Sequence, residues 1–150
     1  LSAILDKAAA HAAAKKFDCA VLAQARLFPD MYPLTRQVQV ACDTAKGAAG
    51  RLAGIEVPKH EDNEVTFADL KARIAKTLDF VKSVNAAQLK DAESRAIEIK
   101  FPNGSWKFIG LAYLNDFVMP NFYFHVSMVY ALLRKSGVDI GKGDFLGDIQ

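Results

Sequence analysis

His125 and Asn121 stand four residues apart in the run NFYFHVSMVYALLR, which is otherwise mostly aromatic and aliphatic. On a helix this spacing places the two side chains one above the other on a single face. An imidazole presented this way suits zinc or nickel, which favour nitrogen ligands. The second member, however, is an amide, a poor ligand. The same pair also serves as a polar feature of a packed interior. Each ring nitrogen then needs a partner, because an unsatisfied buried group costs about 1–3 kcal/mol. Gln37, Tyr32, Tyr123 and Tyr130 are the candidates for that role. With one good ligand in sight, no metal is expected, and His125, Asn121, Gln37 and Tyr32 are read as lining a pocket. If a metal does bind, His125 holds it with Asn121 and with Gln37 or Asp43.

The other chemistry-bearing residues are less informative. Asp43 lies on the side of its helix opposite Leu34, Ala45 and Leu52, which makes it a surface or subunit-contact residue. Gly47, Gly50 and Gly54 near that face imply close backbone approach. His11 sits among alanines with no polar cluster. His60 falls in the charged stretch KHEDNE and is read as solvated. Asp62 and Glu64 there lack the spacing and glycine of a calcium loop. GVDIGKGDFLG follows a helix rather than a strand, so it is not a phosphate loop. No nucleophile motif joins the Ser, His and Asp residues.

Four helices have to position these side chains. The first spans residues 1 to about 16, rich in alanine, with Leu1, Ile4, Leu5 and Ala8 on one face. LAQARLFPDMYP reads as an irregular connection between prolines. The second helix starts at Pro33 and ends at Gly54. Leu34, Val38, Ala41, Ala45, Ala48 and Leu52 form its bundle seam. Thr66 and Asp69 make a capping box for the third, whose stripe is Phe67, Leu70, Ile74, Leu78 and Val81, ending near Asn85. Period two then replaces the helical period: Ile97, Ile99 and Phe101 alternate with Glu98 and Lys100. Asn103-Gly104 signals a hairpin, with Trp106 and Phe108 on the return strand. The last helix runs from Gly110 to Gly137, and Pro120 should kink or break it at Met119. Leu114, Val118, Asn121, His125, Met128 and Leu132 share its inner stripe. The expected fold is all-α: a four-helix bundle with a small β-hairpin, about residues 96–109, before the last helix.

Bulk properties bound the rest. The chain has 150 residues, which fits a single domain over 1–150. It is 51% hydrophobic and 24% charged, with a formal net charge of +2 and interleaved signs. That pattern gives no electrostatic claim on nucleic acid or on anionic lipid. Cys19 and Cys42 form no metal or redox motif and are read as thiols of a reducing compartment. Asp6, Lys7, Lys15 and Lys16 interrupt the N-terminal run, so it lacks the apolar core of a signal peptide. No segment has the roughly 18 uncharged apolar residues of a membrane span. A cytoplasmic protein is expected.

The order of elements and four stretches together resemble the DinB/YfiT-like superfamily, and within it a bacterial branch catalogued as a domain of unknown function. The stretches are LFPDMYPLTRQVQVACDTAKGAAGRLAG, EDNEVTFADLKARIAKTLDFV, WKFIGLAYLNDFVMPNFYFHVSMVYALLRKSGV and KGDFLG. The resemblance implies a four-helix bundle, often dimeric, in which three histidines hold a divalent metal. One comes from the second helix and two from an HxxxH pair on the last. Several members are thiol-dependent transferases. His125 falls on the second histidine of that pair, Asn121 on the first, and the second helix has Gln37 as its nearest inward polar residue but no histidine. One of three ligands is thus kept. The expectation is a DinB-like homodimer with a degenerate metal site, binding an unidentified small molecule or a partner. The alternatives are a zinc- or nickel-dependent transferase or hydrolase using His125, and a purely structural dimer. Whether the chain is an enzyme stays open.

Overall fold

The computed structural model describes residues 1–147; the last three residues of the expected 1–150 domain lie outside the described residues. Four long helices form the bundle: α1 (Ser2–Lys15), α3 (Leu34–Ala53), α4 (Phe67–Ser83) and α6 (Met119–Lys135). Short helices α2 (Ala20–Ala23), α5 (Gly110–Ala112) and α7 (Lys142–Leu146) accompany them. Strands β1 (Ala96–Phe101) and β2 (Gly104–Ile109) make an antiparallel hairpin ahead of the last long helix.

The helix ends follow from local chemistry. Pro33 stands at the N-cap of α3 in an extended conformation rather than inside the first turn. Gly54 ends the helix with φ 68°, and Ile55 N donates to Gly50 O at 2.9 Å, which satisfies a terminal carbonyl. The α4 capping box is reciprocal. Asp69 N donates to Thr66 Oγ1 at 3.1 Å, and Thr66 N donates to Asp69 Oδ2 at 2.8 Å.

Two apolar clusters hold the elements together. The larger joins α1, α2, α3, α4 and α6 through residues such as Leu5, Leu22, Val38, Leu70, Val129 and Leu133. The smaller one lies under the hairpin, where Ile97, Tyr113 and Val118 pack with Ala48. Leu78, expected on the inner stripe of α4, is 47% exposed, while Arg73 and Thr77 are buried. The inward face of α4 is therefore rotated from its apolar pattern.

Three local expectations are corrected. The connection after α1 contains the helical turn α2. The hairpin loop is Pro102-Asn103, since Phe101 pairs with Gly104. Proline fixes φ near −65°, and the Asn-Gly type of turn needs positive φ at both central residues, so the loop moves one residue back. Pro120 neither breaks nor ends the last helix. The segment Tyr113–Val118 winds as a π-helix and leads into α6 with helical dihedrals at Val118 and Met119. Proline lacks an N–H and crowds the carbonyl four residues back, and a wider turn relieves both. The extra residue also shifts the inner stripe, so Tyr113 is buried and Leu114 only partly so.

The glycines of α3 pack within the chain. A Cβ on Gly50 would meet Val57 at 2.7 Å, and one on Gly47 would meet the Arg51 guanidinium at 2.3 Å. The close approach that these residues provide is to the loop after α3 and to a side chain of α3 itself.

Candidate functional site

The polar seam between α3 and α6 is a chain of hydrogen bonds. Gln37 Nε2 donates to the Tyr32 carbonyl at 3.2 Å, which turns its Oε1 toward α6. His125 Nδ1 lies 2.7 Å from that oxygen. With the amide so oriented, the ring must donate through Nδ1, and in the neutral imidazole Nε2 keeps the lone pair. His125 is 7% exposed, and burial, helped by the charge of Arg36, holds its titration below the ordinary 6.5. One turn away, Asn121 Nδ2 donates to Thr44 Oγ1 at 3.1 Å. Tyr32 contributes its backbone carbonyl. The residue is 52% exposed, and its ring lies 5.8 Å from the Arg36 guanidinium. Thus Tyr32, Gln37 and His125 are linked in series, and Asn121 pairs separately.

A zinc or nickel ion needs three or four nitrogen, sulfur or carboxylate donors converging on one point. Among the described residues no group of three or more His, Cys, Asp or Glu side chains is so placed. Gln37 is occupied on both sides of its amide. Asp43 faces α4, where its carboxylate meets Arg73 Nη2 at 2.8 Å, and it also pairs with Lys46 Nζ of its own helix at 2.9 Å. It is therefore neither a free surface group nor a partner of His125. The donor set does not fit the metal that the fold family implies.

A second polar cluster went unread in the sequence. The Arg73 side chain is 2% exposed, on the inner face of α4. Its Nη1 donates to Glu64 at 2.9 Å and to the Glu61 carbonyl at 3.0 Å; its Nη2 reaches Asp43 at 2.8 Å and Asp62 at 3.0 Å. Gln39 Nε2 donates to Glu64 at 2.8 Å, and Arg36 pairs with Asp62. Burial alone would raise the Glu64 carboxyl, but the bonds from Arg73 and Gln39 outweigh it and hold it below its ordinary value. Arg73 thus ties the loop after α3 onto α4. The sequence did carry a signal: Phe67, Leu70 and Thr77 flank Arg73 at helical spacing, and acidic residues crowd the preceding loop. His60, read as solvated, is half-buried, and neither ring nitrogen has a partner.

A concave apolar space lies between the start of α1, α3, α4 and α6. It measures about 500 Å³, and its walls include Ala41, Ala45, Ile74, Leu78, Val81 and Phe122. Ser2, Cys42 and Thr77 are the polar residues on its wall. Thr77 Oγ1 is buried beside the Cys42 thiol and makes no well-formed hydrogen bond among the described residues. Burial pushes the Cys42 thiol up despite the nearby Thr77 hydroxyl and Arg73, so it stays protonated at neutral pH and is a weak nucleophile. Both cysteines are free. The residue that α6 contributes to this cavity is Phe122, next to Asn121 in sequence.

Comparison with known proteins agrees with the architecture. The family described as Domain of unknown function (DUF1993) matches residues 1–146. A crystal structure of a DinB family member from Shewanella denitrificans is 41% identical, with a TM-score of 0.91, over 98% of this chain and 83% of that one. No curated protein matches. No helix among the described residues is long and apolar enough to cross a membrane. The chain belongs to the DUF1993 family, a DinB-like family of helical bundles.

Proposed function

We propose that this protein binds a small, largely apolar molecule in the cavity between α1, α3, α4 and α6, and that the ancestral metal position has become a hydrogen-bonded seam. The observation that carries this reading is the cavity itself. A volume of about 500 Å³ with mainly apolar walls and a few polar groups falls within the range of small-molecule sites. The Thr77 hydroxyl, buried beside the Cys42 thiol on that wall, adds a polar group that a ligand could engage. The seam supports the same reading. The His125 Nδ1–Gln37 Oε1 bond ties α6 to α3 and so places Phe122 on the cavity wall.

The test is a methyl-detected NMR titration with small aromatic fragments such as indole and naphthol. Saturable shifts at Ile74 and Val81 are expected, and Ala45→Phe, which fills the space from α3, should abolish them with the fold intact. Absence of shifts at these methyls, or shifts that persist in Ala45→Phe, would exclude the cavity as the site.

A further inference from the structure

A second cavity, of about 530 Å³, opens on the other side of α4, between that helix and the loop from Lys59 to Glu64. Its walls carry Lys59, His60, Glu61, Glu64, Asp69 and Lys76, with Arg73 at the inner edge. Most of its carboxylates are already committed. Glu64 is bound by Arg73 and Gln39, and Asp69 by the α4 cap. Only Glu61 keeps a carboxylate without a bond among the described residues, and its carbonyl accepts from Arg73. The cations differ. Neither Lys59 nor Lys76 makes an ion pair among the described residues. Two ammonium groups at this wall are thus without a carboxylate partner among the described residues.

Unspent hydrogen bonds point the same way. His60 Nδ1, His60 Nε2 and Arg73 Nε are all shielded from water and lack partners. A neutral imidazole has one N–H, and Arg73 Nε has another, so two donors here await an acceptor. Leaving them unmet is unfavourable. For either shielded His60 nitrogen to reach a ligand in the cavity, the ring must turn about its Cβ–Cγ bond. From these groups we propose that this cavity binds a small oxyanion, a phosphate or carboxylate group, held by the His60 ring N–H and the Lys59 and Lys76 ammonium groups. Arg73, fixed by its carboxylates, shapes the floor.

The groups facing His60 set the pH behaviour. Lys46 and Asp43 come from α3, Arg73 and Lys76 from α4, and Lys59 and Glu61 flank it on the loop. Burial first, and then Lys46, Lys76 and Arg73, hold its titration below 6.5. A bound anion offsets those cations, so it should raise the pH at which His60 titrates.

The experiment is an NMR titration with sodium phosphate, sodium acetate and sodium chloride at matched ionic strength, following the amides of Ala72 and Lys76 and the His60 ring. Saturable shifts with phosphate or acetate are expected, with His60 titrating at higher pH in the bound form. His60→Ala and Lys76→Ala should each weaken binding about tenfold, the effect of losing one charge-assisted bond. Lys76 is exposed, so its variant tests the site without threatening the fold. Tighter phosphate marks a phosphate group as the natural ligand, and tighter acetate a carboxylate. Equal shifts with chloride, or affinity unchanged in both variants, would overturn the site.

Discussion

A guanidinium that is 2% exposed keeps its charge only if oxygens surround it, and Arg73 has Asp43, Asp62, Glu64 and the Glu61 carbonyl. Three of these four residues belong to the loop after α3, so one side chain fastens that loop. Removing one member of a buried ion cluster costs about 3–5 kcal/mol, because the remaining charges lose their counterion. The Asp43 and Asp62 side chains are partly exposed, which places Arg73→Met at the lower end, about 3 kcal/mol. Urea denaturation measures it. Arg73→Lys should fall between the two, since an ammonium cannot span the same fork of oxygens. A loss below about 1 kcal/mol for Arg73→Met would show that the loop is held by other contacts. This residue was hard to read because a lone arginine on a charged helix ordinarily means a solvated face. His125 was easier. Its spacing from Asn121 and the apolar run around it announced an inward position, and Gln37 was among its few candidate partners.

Elements depend on contacts that side-chain patterns do not report. Gly110 joins β2 to α5, and a Cβ there would come within 1.7 Å of the Ala92 carbonyl oxygen. Backbone cannot yield as a flexible side chain can. Gly110→Ala should therefore cost about 3 kcal/mol or more and lift the hairpin from Ala48 and Tyr113. Thermal denaturation and the indole signal of Trp106, which lies 5.6 Å from Phe117 by ring centroids, together report it. An unchanged melting temperature would mean that the junction rearranges freely. The caps at Thr66 and Gly54 and the alternation of Ile97 and Ile99 were legible in sequence, since each rests on residues within a few positions. The π turn and the loop at Pro102 were not. In both places a proline competes with a stronger nearby pattern, and the outcome depends on the backbone geometry it imposes.

Charge and burial across the whole bundle fix how stability varies with pH. His125 and His60 both titrate below 6.5 in the folded chain, each chiefly because burial disfavours the imidazolium. The unfolded chain, with histidines near 6.5, then binds more protons than the native state just below that pH. The stabilisation is present above 6.5 and is lost as pH falls through the folded values. Glu64 behaves likewise at lower pH: its folded value lies below 4.5, so its contribution is present above 4.5 and disappears with further acidification. Two successive losses are expected on acidification, an upper one from the histidines and a lower one from carboxylates, Glu64 of the Arg73 cluster together with Asp69, Glu98 and Asp144. Urea midpoints measured from pH 7.5 down to about 3.5 resolve them. His60→Asn with His125→Gln should flatten the upper loss and leave the lower one, whereas Glu64→Gln should leave the upper loss and reduce the lower one, to which Asp69, Glu98 and Asp144 still contribute. A flat profile between about pH 7 and 5 in the parent chain would mean that the imidazoles reach water more freely than their packing implies, and the seam between α3 and α6 would then be a looser joint.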